Sequence, residues 1–420
     1  MQIVNNRYQL TGGVDPLVLC EKYGTPLYVY DAHIIERQFK RLHTAFEVPH
    51  LSLNFACKAL TNISVIKFLK QLGAGLDCVS IQEVKIGLAA GYTPDEILYT
   101  PSGVALAEIE QAMALGVHLN ADNIPLLEQL GAMGVKNPLC IRINPDIMAG
   151  AYEKISVGHL ASKFGIAYSQ IDQVKEVVHR TGLNIEALHI HIGSGIYDIQ
   201  SFLDGAEVLM RLAMDFPDLA YLNFGGGFKV AYQEGDQQTD IETFGKVFSE
   251  RFNRFCQEYG WDISLHFEPG KFFVSEAGYL LAPVNVVKES PTKVFLGVDS
   301  GQNHIIRPMF YDAYHRIENI SNPTGDRVDY NVVGYICETD DLGKDRQIAQ
   351  AKTGDILAIY NAGAYCYSMA NNYNSRFRPA EVMVYQGQDY LIRKRETMED
   401  LLRTQTMVEV NVAETIMNFE

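Results

Sequence analysis

Lys58, Asp77, His191 and Glu268, together with two glycine-rich turns, recur at one kind of place in this chain, the exit of an apolar, strand-like run. The run 51–57 delivers Lys58 and stops, and Thr61 or Asn62 is placed to cap a helix beginning near Ile63. A lysine held at the end of a buried strand is where a desolvated amine can become a nucleophile. Alone, such a lysine is better explained as a stem on apolar surface with its charge in water. Asp77 closes a second run, and His191, Gly193, Ser194 and Gly195 follow another. Two further runs end in Gly225, Gly226 and Gly227, and in Glu268, Pro269, Gly270 and Lys271. Taken singly, Asp77 is a helix cap, His191 a bonded core imidazole, the glycines a tight turn and Glu268 a turn residue. Their shared position makes those separate explanations the weaker account.

The elements that must position these residues are strands alternating with helices. At 420 residues, two domains are expected. Apolar runs at 51–57, 75–79, 97–100, 117–120, 139–143, 187–192, 220–224 and 264–268 read as eight strands. Helical patterns fill most intervals, at 63–72, 81–90, 107–115, 124–133, 171–179, 202–214 and 241–259. The alternation predicts an α/β fold, a closed parallel (β/α)8 TIM-like barrel, with a doubly wound sheet as the rival. Beyond Glu268 the period changes to short β-rich runs, predicting a C-terminal all-β domain joined by the N-terminal strands. The expected division is 1–30 (short strands packing with the β domain), 31–278 (barrel) and 279–420 (β domain).

Composition narrows the function. A net charge of -16 argues against nucleic-acid and anionic-membrane partners. No run is long and apolar enough for a membrane span, and Met1 opens onto polar residues rather than a signal peptide. Seven scattered cysteines without a CxxC pair fit a reducing cytoplasm and neither a disulfide framework nor a thiolate metal site. Barrel enzymes carry their chemistry on the C-terminal rim of the strands. An amine, two carboxylates, an imidazole and two glycine turns on that rim are intelligible as a pyridoxal 5'-phosphate site. There Lys58 would form the Schiff base, and Gly193, Ser194 and the turn Gly225, Gly226 and Gly227 would hold the phosphate. His191 would stack on the ring, Glu268 would keep its nitrogen protonated, and Asp77 would support lysine and cofactor electrostatically.

The chain resembles the fold-type III pyridoxal phosphate decarboxylases, and among them the diaminopimelate decarboxylase family. The likeness runs from Ala56-Cys57-Lys58-Ala59 through Ser162-Lys163-Phe164-Gly165, His191-Ile192-Gly193-Ser194 and Glu268-Pro269-Gly270. It continues in Asp299-Ser300-Gly301, Ile306-Arg307-Pro308 with Tyr311, Cys337-Glu338, Ala362-Gly363-Ala364-Tyr365 and Asn372-Tyr373-Asn374-Ser375-Arg376. What the resemblance implies is decarboxylation of meso-2,6-diaminopimelate to L-lysine, in a homodimer whose active sites form where the β domain of one subunit meets the barrel of the other. It implies that Cys337 protonates the carbon left by carbon dioxide and that Glu338 binds the distal amine. Arg307 and Tyr311 would bind the distal carboxylate, and Tyr365 would touch phosphate and substrate. Gly270 and Lys271 would belong to the cofactor site, with Lys271 also near substrate.

Three positions depart from the family pattern. Lys271 stands where most members carry Arg, Gly195 where Gln is frequent, and Cys366-Tyr367 where Gly-Phe is usual. A lysine offers a point charge in place of a planar fork, so altered affinity with retained function is expected. Rival readings are a decarboxylase of ornithine, lysine or arginine, a racemase, and an inactive partner-binding homologue. Arg307 and Tyr311 oppose the first, Cys337-Glu338 the second, and the presence of Lys58 and Cys337 the third.

Overall fold

The computed structural model describes residues 1–147, 158 and 162–410. Eight strands, Leu51–Ala56, Gly75–Cys78, Ile97–Tyr99, His118–Ala121, Leu139–Asn144, Ile185–Ile190, Tyr221–Asn223 and Ser264–Phe267, pair in parallel with their neighbours. The last pairs with the first through Leu265 and Leu51, so the sheet closes. These strands are short and buried on both faces, which is why they read as continuous apolar runs rather than alternating ones. An additional two-residue strand, Ile166–Ala167, pairs in parallel with the end of the fifth.

Local signals start and stop the helices between them. Asn62 accepts from the Ser64 amide at 3.0 Å and opens Ile63–Leu72, and Gly73 ends that helix in the left-handed region at φ 97°. The longest helix, Ile241–Tyr259, turns Phe244, Phe248, Phe252 and Phe255 inward. Phe244 and Phe248 meet Phe46, Phe224 and Phe267 with ring centroids 4.9–6.4 Å apart. That cluster seals the joint where the eighth strand closes on the first.

A second sheet stands beside the barrel. Its spine is the twelve-residue strand Gly278–Glu289, which pairs with Val294–Val298, Ile356–Ile359 and Leu27–Asp31. The strand Leu27–Asp31 is buried throughout and also runs parallel to Ala380–Tyr385, so the N-terminal segment lies inside the C-terminal sheet. The stretch 1–30, expected as short strands, also contains the helix Pro16–Tyr23, opened by Asp15 and a first-turn proline. Two strands escaped the sequence reading, Ile317–Asn319 and Asp341–Ala349. The latter lies at the sheet edge with polar residues outward, so its backbone pairing to Arg327–Val333 defines it and its composition does not. Residues 411–420 of the expected β domain lie outside the described residues. Among the described residues no helix is long and apolar enough to cross a membrane.

One buried carboxylate fastens the two bodies. Glu381 accepts from the Tyr30 hydroxyl at 2.7 Å and from Asn62 Nδ2 at 2.9 Å, and it pairs with Arg393. Asn62 is the cap of the helix that follows Lys58, so the β domain holds the exit of the first barrel strand. Replacing Glu381 by Ala leaves Tyr30, Asn62 and Arg393 without their acceptor. The expected loss is about 3 kcal/mol, measured as a lower denaturant midpoint, with Glu381→Gln losing less.

Candidate active site

The exits of the barrel strands open into a cavity of about 540 Å³, within the range of small-molecule sites. Lys58 reaches into it from the one-turn helix Cys57–Ala59, its Nζ 3.5 Å from Asp77 Oδ2. Burial draws the amine's pKa down, but the negative charge of Asp77, with Tyr365 and Glu268, outweighs it and leaves the pKa raised. Asp77 is 1 % exposed, and burial pushes its carboxyl up to about 6, with Glu268 adding and Lys58 opposing.

Glu268 has the opposite environment. His189 Nε2 donates to its Oε2 at 3.0 Å, and Asn223 Nδ2 donates to its Oε1 at 2.7 Å. Burial alone would raise this carboxyl, but His189 and Lys58 hold it down at about 2, so it stays ionised at neutral pH. Arg142, His189 and Asn223 share one register across the fifth, sixth and seventh strands. They form the polar floor under the cavity. The sequence reading missed all three, because it took the strand exits and passed over polar residues inside apolar runs. The signal was present, since His189 and His191 lie two residues apart and so share a strand face.

The glycine turn forms the next wall. A Cβ on Gly226 would lie 2.3 Å from the Glu268 carbonyl, and one on Gly227, at φ +112°, would lie 2.4 Å from the Gly193 carbonyl. Only glycine lets the seventh-strand loop pack against both neighbours and present bare backbone. Gly226 and Gly227 line the cavity, while Gly193 and Gly225 lie outside its lining. The Gly226 amide donates to His191 Nδ1 at 3.3 Å. Burial, with Arg142 and Lys58 nearby, depresses the His191 pKa and keeps the ring neutral.

Lys271 donates to Ser194 Oγ at 3.1 Å, and both residues line the cavity with Gly270. Among the described residues no carboxylate pairs with Lys271, and burial, reinforced by Arg307, draws its amine down to about 7. A buried unpaired amine, a bare glycine turn and a hydroxyl fit a phosphate. A lysine against one carboxylate and an ionised carboxylate on a polar floor fit the aldehyde and ring nitrogen of pyridoxal. The residues therefore fit pyridoxal phosphate.

That fit has a pH signature. An anion bound at Lys271 favours the charged amine, so cofactor affinity is flat below pH about 7 and falls as pH rises above it, approaching tenfold per unit. Titrating the apo-protein with pyridoxal phosphate from pH 6 to 9 reads this slope. Lys271→Arg, charged throughout, is expected to remove that component of the pH dependence.

On the far wall, Arg307 and Tyr311 come from the five-residue helix Arg307–Tyr311 of the β domain. Arg307 is 7 % exposed, yet among the described residues it makes no ion pair. Its guanidinium lies 5.4 Å from the Tyr232 ring centroid and 5.9 Å from that of Tyr311. Tyr365, at φ 57°, lines the same cavity, and its amide donates to the Ala59 carbonyl at 2.9 Å, beside Lys58. Lys163 and Phe164 add a further wall, with Phe164 stacked 4.7 Å from the Arg142 guanidinium.

Cys337 and Glu338 do not join this cavity. Both are exposed on a loop of the β domain. Asn374 brackets the cysteine, its Oδ1 accepting from the Cys337 amide and its Nδ2 donating to the sulfur, each at 3.1 Å. Gln302 and Tyr373 donate to the Glu338 carboxylate. Beneath them Asp340, 1 % exposed, accepts from the Ile336 amide at 2.8 Å and the Gln302 amide at 2.6 Å. The loop is thus built and anchored, with Cys337 and Glu338 exposed on it.

A barrel with an amine, two carboxylates of opposed environment and a glycine cradle on one rim defines a pyridoxal-dependent enzyme. Residues 32–275 match the pyridoxal-binding domain of the pyridoxal-dependent decarboxylases. The chain is 38% identical to the diaminopimelate decarboxylase of Methanothermobacter thermautotrophicus, over 97% of both chains. The M. jannaschii diaminopimelate decarboxylase in co-complex with L-lysine superposes with a TM-score of 0.90 at 30% identity, covering 97% of this chain and 98% of that one. The Helicobacter pylori enzyme complexed with L-lysine gives 0.86 at 32%, covering 93% and 98%. The chain belongs to the diaminopimelate decarboxylase family.

Proposed function

We propose that this chain decarboxylates meso-2,6-diaminopimelate to L-lysine and carbon dioxide with pyridoxal 5'-phosphate, as the last step of lysine biosynthesis. The observation that carries the substrate is Arg307, a buried guanidinium without a carboxylate partner among the described residues, beside Tyr311 in the cavity that holds Lys58. A buried unpaired charge is costly unless a ligand completes it. A substrate with a distal carboxylate does so, whereas ornithine, arginine and lysine bring none.

Bound at Lys58, the pyridine ring supplies a sink for the electron pair released as the α-carboxylate leaves. Lys58 would hold the cofactor covalently through its Nζ. Glu268, ionised and fixed by His189 and Asn223, holds the proton on the ring nitrogen. The neutral His191 ring packs on the cofactor, and Asp77 supports the positive charge of Lys58. Ser194, Gly226, Gly227 and Lys271 hold the phosphate, backed by Gly193, Gly225 and Gly270, with Tyr365 alongside. Arg307 and Tyr311 bind the distal carboxylate and so orient the α-carboxylate for loss.

The remaining groups come from a second subunit in this reading. Cys337 of the partner subunit donates its Sγ proton to the α-carbon, and Glu338 of the partner subunit accepts the distal ammonium. Their exposure on an anchored loop, outside their own chain's cavity, supports a homodimer with shared sites. Residues 31–278 act as the cofactor barrel, and 279–420 with the strands of 1–30 as the domain that meets the partner. The scattered free thiols suit a cytoplasmic enzyme.

Arg307→Met tests the substrate assignment. It is expected to raise KM for meso-diaminopimelate by about 100-fold, the value of a charge-assisted bidentate contact, while the cofactor's visible absorbance is unchanged. An unaltered KM would remove the distal carboxylate from this wall.

A further inference from the structure

Behind Arg307 lies His315, which is 0 % exposed and outside the cavity lining. Its Nδ1 is 2.8 Å from the Tyr360 carbonyl, an acceptor only, so Nδ1 carries the hydrogen. The lone pair is therefore on Nε2, and Arg307 Nε–H donates to it at 3.3 Å. The Tyr232 ring meets the imidazole edge-on at 5.3 Å and also faces the guanidinium. Burial and the Arg307 charge keep the imidazole neutral, at about 3.

This arrangement is unusual support for a buried arginine. A carboxylate in this position would fix the guanidinium and also neutralise it. A neutral imidazole fixes the plane and leaves the charge intact. With Nε taken, a side-on approach across Nε and Nη is closed, and neither Nη donates to protein among the described residues. The open edge is the Nη pair.

We propose that His315 is a positioning residue for substrate selection. As an uncharged acceptor tethered to the Tyr360 carbonyl, it fixes the plane of Arg307 so that Nη1 and Nη2 meet a distal carboxylate end-on. The inference rests on the reading of Arg307 given under Proposed function. It adds that the selectivity for a dicarboxylic substrate depends on a residue that touches neither substrate nor cofactor.

Two near-isosteric variants of the holoenzyme separate the two bonds. His315→Asn keeps a donor near the Tyr360 carbonyl and loses the acceptor for Arg307. His315→Gln carries an oxygen near the Nε2 position. For meso-diaminopimelate, His315→Asn is expected to raise KM about tenfold with kcat within about twofold, and His315→Gln to stay within about threefold in KM. Cadaverine, a diamine that carries no carboxylate, is titrated against the holoenzyme's visible spectrum in parallel, and its affinity is expected to be unchanged in both. A merely structural role would move cadaverine and meso-diaminopimelate together, and that result overturns the proposal. An unchanged KM in His315→Asn, or a larger rise in His315→Gln than in His315→Asn, overturns it as well. A wild-type enzyme inert toward meso-diaminopimelate overturns the parent reading and this inference with it, so the two failures are distinct.

Discussion

Lys58→Ala is expected to lack the visible absorbance of the cofactor-loaded protein and to lose activity by on the order of 10³-fold or more. No other amine replaces it. Lys271 also lines the cavity, but it is bonded to Ser194, and among the described residues no carboxylate pairs with it. Asp77 and Glu268 hold a positive charge at Lys58 and at no other lysine of the site. The fold is expected to survive, since among the described residues Lys58 makes no hydrogen bond to the β domain, and its neighbours Cys57, Ala59 and Leu60 supply the packing. Absorbance of the purified variant with added pyridoxal phosphate, beside an activity assay, checks both halves. Retained absorbance with lost activity would place the covalent attachment elsewhere.

Cys337→Ala is expected to keep that absorbance and lose activity by about 100-fold or more, the contribution of a positioned proton donor. The combination separates it from Lys58→Ala, because Cys337 lies outside the lining of its own chain's cavity. The two variants together test the shared site. If equal amounts re-pair at random, roughly half the dimers are mixed and each has one intact site. About a quarter of the wild-type activity should then appear from two inactive preparations. No recovery after re-pairing would confine each site to a single chain.

The barrel was legible because each of its strands is an apolar run set between amphipathic helices, a pattern that closes only one way once the last strand meets the first. Lys58, Asp77, His191 and Glu268 could be placed on one rim from their positions at strand exits, without any knowledge of three-dimensional contacts. Arg142, His189 and Asn223 could not be placed that way. They sit within apolar runs, and what distinguishes them is that their neighbours in space are polar, which strand register decides. The edge strand Asp341–Ala349 was hidden for the converse reason, since its charges describe solvent and its pairing describes the sheet. Arg307 was assigned to a distal carboxylate by resemblance alone, and its 7 % exposure, with no carboxylate partner among the described residues, supplies a physical ground. The neutral tether at His315 left no mark in the sequence at all.

The most direct measurement is carbon dioxide release by the cofactor-loaded protein from meso-diaminopimelate, with ornithine, arginine and L-lysine in parallel. Release from meso-diaminopimelate alone, with L-lysine as the product, is the predicted result. Release from one of the other three, with meso-diaminopimelate inert, would contradict the assignment of Arg307 and with it the proposed reaction.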